Sequence, residues 1–310
     1  MSSCPIPVRA DLTAIALAWR PRDVDLIADA VLPRTPTSAK FKYLSWSPEQ
    51  GYTIPDTKMG RKSAATEAEF AATEVSDEVK DYGLSTLVSN SDILDDNQGV
   101  DYLGNATGFL TGLLRLAREV RTANLVFAAG TYPAGYKATL SGTSQWSDQA
   151  NSDPLKAITD AMDVPLMRPN ILVLGQATWT NLRRHPKIVQ ACNLTSQTAG
   201  IVARRAVADL LELSEIYVGP GFVNTAKEGQ TATMARAWGK HAALIYRDRD
   251  AGSQAGLTFG FTADRRQLSV RQKDEVDMGV DGSQRVIVTE RVKEVVCAPT
   301  AAYFFENAVA

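Results

Sequence analysis

The feature that most constrains this chain is its first 75 residues, which hold too few well-spaced apolar side chains to build a core of their own. Residues 1–38 carry Pro5, Pro7, Pro21, Pro33 and Pro36. Within them, RDVDLIADAVL places Val24, Ile27 and Val31 on one face of a short helix, and the rest reads as an extended arm. KFKYLSW then alternates as a strand, SPEQG marks a turn, and IPDTKMGRKSAATEAEF runs polar, small and charged. A stretch of this kind predicts a projecting hairpin or loop over 39–75. Ordering a backbone costs free energy that neither segment recovers alone, so both need another surface to lie on.

The remainder is well supplied. The chain has 310 residues, 45% hydrophobic, enough for one large core or two medium ones. With 33 basic against 35 acidic residues, its net charge of -2 argues against a dedicated nucleic-acid binder, which shows a basic excess. Cys4, Cys192 and Cys297 are odd in number and form no CxxC pair, so a disulfide framework is not expected and a reducing site of folding fits. The apolar run Leu12–Trp19 is too short to span a bilayer, and Asp11 stands where a signal peptide wants a basic residue. No membrane or secretory segment is expected.

Residues 102–129 predict a long helix, about 26 residues and so roughly 39 Å at 1.5 Å per residue. Ala106, Leu110, Leu113, Ala117, Val120, Asn124 and Phe127 share a three-four spacing that predicts its buried face. Arg115 and Glu119 stand as an i,i+4 pair, and Gly130 is the expected stop. Gly104, Gly108 and Gly112 form one stripe, read as a place where another backbone packs closely. Each costs a helix about 1 kcal/mol relative to alanine, so the front half should be softer than the back. Beyond residue 150 the texture becomes α/β. Asp153 and Pro154 open a helix whose buried face is Leu155, Ile158 and Met162. ILVLG, EIYVG and HAALIYRD read as strands, TWTNLRRH and 201–213 as helices. After Gly260, RQLSVRQK and RVIVTERVKEVVCA alternate as strands around a DMGVDGSQ loop.

Enzyme motifs fail on inspection. EIYVGPGFVN lacks the third glycine of a dinucleotide fingerprint, and AWGKHA lacks the leading glycine and the hydroxyl of a phosphate loop. His185 and His241 sit in no metal motif, and His185, before Pro186, is expected to meet helix-end carbonyls. Asp92, Asp95, Asp96, Asn97 and Gly99 miss the spacing of a calcium loop and read as a solvated turn capping the long helix. No cofactor, metal or catalytic residue is expected.

The order of elements, with ANLVFAAGTYPAGYKATLSGTSQWSD (123–148), NSDPLKAITDAMD (151–163), RPNILVLGQATWTNLRRHPKIVQA (168–191), GFVNTAKEGQTATMARAWGKHAALIYRD (221–248), GLTFGFTA (256–263) and GSQRVIVTERVKEVVCAPTAAYFFENAV (282–309), resembles the major capsid proteins of tailed phages with the Hong Kong 97-type fold. The resemblance covers most of 85–310. It implies an α+β subunit with an N-terminal arm (1–38), an extended E-loop (39–80), a peripheral domain (81–164 and 261–310, spine helix about 104–128) and an axial domain (165–260). It implies a non-enzymatic protein that assembles into hexamers and pentamers of an icosahedral shell around phage DNA, in the virion after assembly in the host cytoplasm. By the same resemblance, Phe41, Tyr43, Trp46, Tyr52, Lys58, Arg61 and Lys62 would make E-loop contacts with a neighbour. Arg247, Asp248, Arg249 and Asp250 would lie near the five- and six-fold axes, and Asp277, Asp281 and Arg285 at the three-fold contacts. The aromatic residues suit interface anchors, although one or two packing within the hairpin is the plainer reading. Some members join subunits by lysine–asparagine isopeptide bonds; Lys58, Lys62 and Asn307 supply atoms for one, but no catalytic glutamate is identified. The long N-terminal scaffolding segment of some members is not seen, so separate scaffolding, portal and decoration proteins are expected, with weak non-specific DNA contact and no membrane partner. An encapsulin-type nanocompartment shares the fold and is the nearest alternative; an α/β metabolic enzyme is the alternative from another class.

Hydrogen exchange should find the amides of Leu113–Phe127 slower than those around Gly104, Gly108 and Gly112, in isolated subunits and in assemblies alike. Equal rates along the helix would remove the argument for a soft front half.

Overall fold

Two β-sheets share the 25-residue helix Tyr102–Val126, hereafter the spine helix, which packs on one and reaches the other at its C-terminal end. The computed structural model describes residues 9–18, 26–45, 54, 56–59, 73–94, 100–193, 199–227, 229–248 and 257–310. In chain order the first four strands are β1 (Arg34–Pro36), β2 (Lys40–Ser45), β3 (Thr73–Glu78) and β4 (Lys80–Ser89). Then come β5 (Lys137–Thr139), β6 (Ile171–Gly175), β7 (Glu215–Gly219), β8 (Phe222–Asn224), β9 (Met234–Arg236) and β10 (Ala242–Ile245). The last are β11 (Gly260–Glu275), β12 (Ser283–Val296) and β13 (Ala302–Glu306).

The four-stranded sheet runs β1-β11-β12-β4. Its two long strands form an antiparallel hairpin, in register from Gly260 opposite Val296 to Glu275 opposite Ser283, with irregularities between Asp264 and Ser269. Alternation along these strands turns Leu268, Val270, Val286 and Val288 to one face, where Leu110 and Leu114 of the spine helix cover them. β2 and β3 pair separately as the root of a hairpin, Lys40 opposite Glu78 and Ser45 opposite Thr73.

The five-stranded sheet runs β5-β13-β10-β6-β7. Its central strands are buried on both faces, which is why ILVLG and AALI read as unbroken apolar runs. Leu172 and Leu174 face a core with Trp146, Ile158, Met162 and Leu182, while Ile171 and Val173 face a second core with Trp238, Tyr132 and Phe304. The strand at 302–306, expected in the peripheral domain, lies between β5 and β10 in this sheet, because Ala302–Phe305 pair with Ile245–Ala242. Sheet continuity therefore places 137–139 and 302–306 with the 165–260 segment.

The N-terminal segment departs most from expectation. Ala10–Ala18, expected as extended arm, is a helix. Its Leu12 and Ala16 are buried with Leu110, Leu114 and Val270, so it does find a surface, on its own chain. Ile27, Val31 and Leu32 around the helical turn Ala28–Val31 join the second core; Val24 lies outside the described residues.

The spine helix is rotated from the expected face. Of the seven residues predicted inward, Leu110 is fully buried while Leu113, Ala117 and Asn124 are exposed. The buried stripe is Thr107, Leu110, Thr111, Leu114, Arg118, Thr122 and Val126. Apolar spacing misjudged the phase because this helix turns its charges inward. Arg115 and Glu119 do not pair with each other: Arg115 donates to the carbonyl of Ala16. Glu119, fully buried, accepts from the backbone N–H of Ile27 (2.9 Å) and Ala28 (2.8 Å) and from the Trp238 indole (2.5 Å). The helix is capped by Asp101, whose carboxylate accepts from the Gly104 N–H; Asp95, Asp96, Asn97 and Gly99 of the expected capping turn lie outside the described residues. It ends at Val126 with Phe127 as cap; Gly130 lies beyond, in a 3-10 turn. Gly104 is held tight by that cap, since a Cβ there would meet the Asp101 carboxylate at 2.0 Å.

Around Glu119 an ionic network continues. Arg118 pairs with Asp29; Arg34 pairs with Asp29 (2.8 Å), Asp264 (3.1 Å) and Glu290 (3.5 Å); Arg121 reaches Glu294 (3.1 Å) and Glu290 (3.5 Å). These groups join the residue 26–36 segment, the spine helix and the β11–β12 hairpin. Replacing Glu119 with Ala strands three donors in the interior, each costing about 1–3 kcal/mol. The variant Glu119→Ala should therefore lose at least about 3 kcal/mol, read as a lower urea midpoint of dissociated subunits. A midpoint within error of wild type would mean that the junction contributes nothing.

Candidate assembly surfaces

Of the residues expected to meet neighbours, several are committed to their own subunit. Phe41 is buried, and its ring lies 6.2 Å from that of Phe261, with Tyr43 at 6.3 Å from the same ring. Both pack the hairpin root against β11 within the subunit, Phe41 buried and Tyr43 half-buried. Lys58 is exposed, as are Ile54 (86%) and Met59 (56%). Trp46, Tyr52, Arg61 and Lys62 lie outside the described residues, as do Arg249 and Asp250.

Arg247 is likewise internal. Its guanidinium donates to the Ala30 carbonyl and the Tyr217 hydroxyl (3.1 Å) and faces Glu215 (3.5 Å), so it ties the 26–36 segment to β7. At the far end of the β11–β12 hairpin, Arg285 pairs with Glu275 at 3.0 Å, and Asp281 accepts from the Ser91 hydroxyl at 2.9 Å. These bonds stiffen the turn over 276–282, where Gly279 and Gly282 adopt positive φ that other residues reach only with strain. What the turn presents outward is apolar: Val276 and Val280 are among the most exposed large hydrophobic side chains described, with Met278 and the exposed Asp277 between them.

Gly219 of EIYVGPGFVN has a packing role. A Cβ on Gly219 would lie 2.0 Å from Cδ1 of Trp238, so glycine is required for the indole to reach Glu119. β8 and β9 follow as a small hairpin, in place of the helix that a dinucleotide site needs. No helix among the described residues is long and apolar enough to cross a membrane.

Over 316 aligned residues the chain is 49% identical to the major capsid protein of Pseudomonas phage JBD67, with 100% of both chains covered. The chain belongs to the phage major capsid protein family. It is also 28% identical over 148 residues, 46% of either chain, to the major capsid protein of Burkholderia phage BcepMu. A phage-related protein from Bordetella bronchiseptica RB50 superposes with a TM-score of 0.75 at 21% identity over 98% of both chains. The capsid structure of cyanophage P-SCSP1u gives 0.57 at 12% identity, over 99% of this chain and 92% of that one. No family model matches the sequence. The fold of this capsid protein is the Hong Kong 97 type, and its role is that of a phage shell subunit.

The capsid protein's two histidines are built into its packing. His185 is fully buried; its Nδ1 accepts from the Lys187 N–H (3.3 Å), which leaves the proton on Nε2 to donate to the Ser152 hydroxyl (3.1 Å). That hydroxyl donates to the Asp148 carbonyl (2.6 Å), not to the ring, so the polarity is the reverse of a nucleophilic Ser–His pair. His241 packs against Phe127 and Phe304, and its Nδ1 accepts from the N–H of Asn307, which sits at φ 53°. Burial is the largest cause lowering both histidine pKa values.

A histidine that resists the proton when folded contributes stability that is present above its unfolded pKa of about 6.5 and is lost as pH falls through the depressed folded value. Glu119 and Glu290 act oppositely: burial raises both, so their contribution is present below about pH 4.5 and is lost as pH rises through their folded values. The histidine effect is therefore read as a difference. Below pH 6.5, wild-type subunits should lose stability faster than a His185→Gln/His241→Gln variant in parallel urea titrations. Identical slopes would mean that neither ring is held neutral by the fold.

Proposed function

We propose that this capsid protein assembles with copies of itself into hexamers and pentamers, which close an icosahedral shell around double-stranded phage DNA without catalysis of its own. The observation that carries this reading is a set of exposed apolar side chains: Ile54 and Met59, which follow β2 in the chain, and Val276, Met278 and Val280 at the β11–β12 turn. Isolated, such side chains cost solvation free energy; between copies they become the apolar centres that obligate interfaces need.

The E-loop contact then rests on Lys58, Ile54 and Met59, with Trp46, Tyr52, Arg61 and Lys62 from the same segment. The axis contact rests on Asp248 with Arg249 and Asp250, and the three-fold contact on Asp277 and its apolar neighbours, with Asp281 and Arg285 as supports. Near-neutral charge suits a wall that touches DNA weakly and lets it leave. Assembly in the host cytoplasm with separate scaffolding, portal and decoration proteins completes the reading, with no cofactor and no membrane partner.

Negative-stain microscopy with sedimentation of the purified protein should show rings, tubes or shells. A lone 33.5 kDa species at every concentration, with or without scaffold, would count against self-assembly. Deleting residues 48–64 should abolish closed shells while leaving subunits folded by circular dichroism, because that segment lies beyond the β2–β3 root. Normal shells from the deletion would remove the E-loop from the interface.

A further inference from the structure

Strand β4 has one open side. It pairs with β12 from Ser89 opposite Ser283 to Lys80 opposite Val292, and it ends the four-stranded sheet. The bond from the Asn90 N–H to the Gly282 carbonyl sets the alternation, so Val88, Thr86, Leu84 and Tyr82 turn their backbone groups toward β12. Asp81, Gly83, Ser85, Leu87 and Ser89 turn theirs outward, where they meet no backbone partner among the described residues. Edge strands are ordinarily blunted by charge, proline or a bulge. YGLSTLVS (82–89) has neither charge nor proline, and its register with β12 is unbroken. Leu84 and Leu87, on opposite faces of the sheet, are left 38% and 41% exposed.

We propose that this edge is completed by residues 4–8, Cys-Pro-Ile-Pro-Val, of a second copy of the chain, added as a further strand. The inference rests on the shell reading above and names one contact within it. In an extended backbone, the N–H and C=O groups of residues two apart point the same way. Cys4, Ile6 and Val8 therefore offer donors on one side, while Pro5 and Pro7 offer none on the other. Such a segment pairs on a single side and closes the sheet, the position to which proline in sheets is confined. Pro5 and Pro7 are the only prolines two apart in the chain. With Cys4, Ile6 and Val8 bonded to β4, their side chains share the face of Leu87, and the prolines share the face of Leu84. Both leucines then gain apolar cover.

Reach assigns the strand to another subunit. The Arg9 N–H donates to the Val270 carbonyl of β11, whose other side is taken by β12. Arg9 thus lies at the far side of the sheet, about four strand spacings or roughly 19 Å from the open slot beside β4. Val8 is one peptide away from Arg9, about 3.8 Å. A chain's own residues 4–8 therefore cannot lie along its own β4. An extended run back from Arg9 also turns Pro7 and Pro5 toward its own β11, and leaves the donors of Val8, Ile6 and Cys4 facing away.

Shells and dissociated subunits test the added strand by exchange and by crosslinking. In the wild-type protein, the amides of Gly83, Ser85, Leu87 and Ser89 should exchange about tenfold more slowly in shells than in subunits. Those of Leu84 and Thr86, already bonded to β12, should change least. Cys4 is a native thiol on the face that carries residues 85, 87 and 89. Under mild oxidation with copper–phenanthroline, shells of at least one of Ser85→Cys, Leu87→Cys and Ser89→Cys should give Cys4-linked dimers and larger multimers, located by mass spectrometry. Thr86→Cys, on the opposite face, should give none, and adding Cys4→Ser should abolish the links. Unchanged exchange along β4 would overturn the proposal. So would protection without a Cys4 link at any of the three positions, or equal linking at Thr86→Cys. Microscopy separates the two failures: wild-type shells with either negative result leave the shell reading intact, whereas the absence of any particle would sink both.

Discussion

Glu119 is the point on which the subunit's parts are fastened together. One carboxylate, enclosed where no water reaches it, holds the N–H groups of Ile27 and Ala28 from the N-terminal segment and the indole of Trp238 from the turn before β10. Among the described residues no lysine or arginine forms a direct bond to it; its charge is answered by three dipolar donors and by Arg118 nearby. Burial therefore raises its pKa, and the junction persists because removing the acceptor would strand the donors at greater cost. Gly219 is a consequence of the same bond, since the indole lies across it.

The ionic network beside Glu119 extends this fastening to the four-stranded sheet. Asp264 and Glu290 are buried, and each meets an arginine from the arm segment or the spine helix. Buried ion pairs contribute little net stability against apolar packing, but breaking one partner is costly, so they fix orientation. In a shell subunit, orientation matters more than added stability. The arm, the spine helix and the long hairpin must point in defined directions for projecting ends to meet neighbours. The charges that serve this junction are also those missing from the outer face of the spine helix, which is left apolar.

Much of the architecture was legible in the primary structure. Alternation marked β11 and β12, unbroken apolar runs marked β6 and β10, and the pair Asp153–Pro154 opened its helix as expected, with Asp153 accepting from the Lys156 N–H. The family resemblance was carried by long stretches that keep these elements in order. Local reasoning failed where polar groups are buried. Spacing assumed that apolar side chains of the long helix face inward, and so missed Arg118, Glu119 and Thr122 on the buried side. Trp238 and Gly219 were visible only as parts of motifs that did not match. A long helix carrying both a lone glutamate and an arginine cluster, in a chain with many apolar residues, was the available signal.

What the sequence by itself determined is the set of elements and their kind: periodicity, caps and turn glycines act over a few residues, and so can be read from a few residues. What only the tertiary structure decided is which face each element turns inward and which segments hold one another. The helix Ala10–Ala18 lies against the spine helix, and Phe41 lies against Phe261, because partners far away in the chain complete their burial. Burial of a charge likewise depends on donors supplied from elsewhere, here across about ninety residues from Glu119 to Ile27 and more than a hundred to Trp238. No local pattern encodes such a meeting, because its free energy exists only once the chain has closed around it.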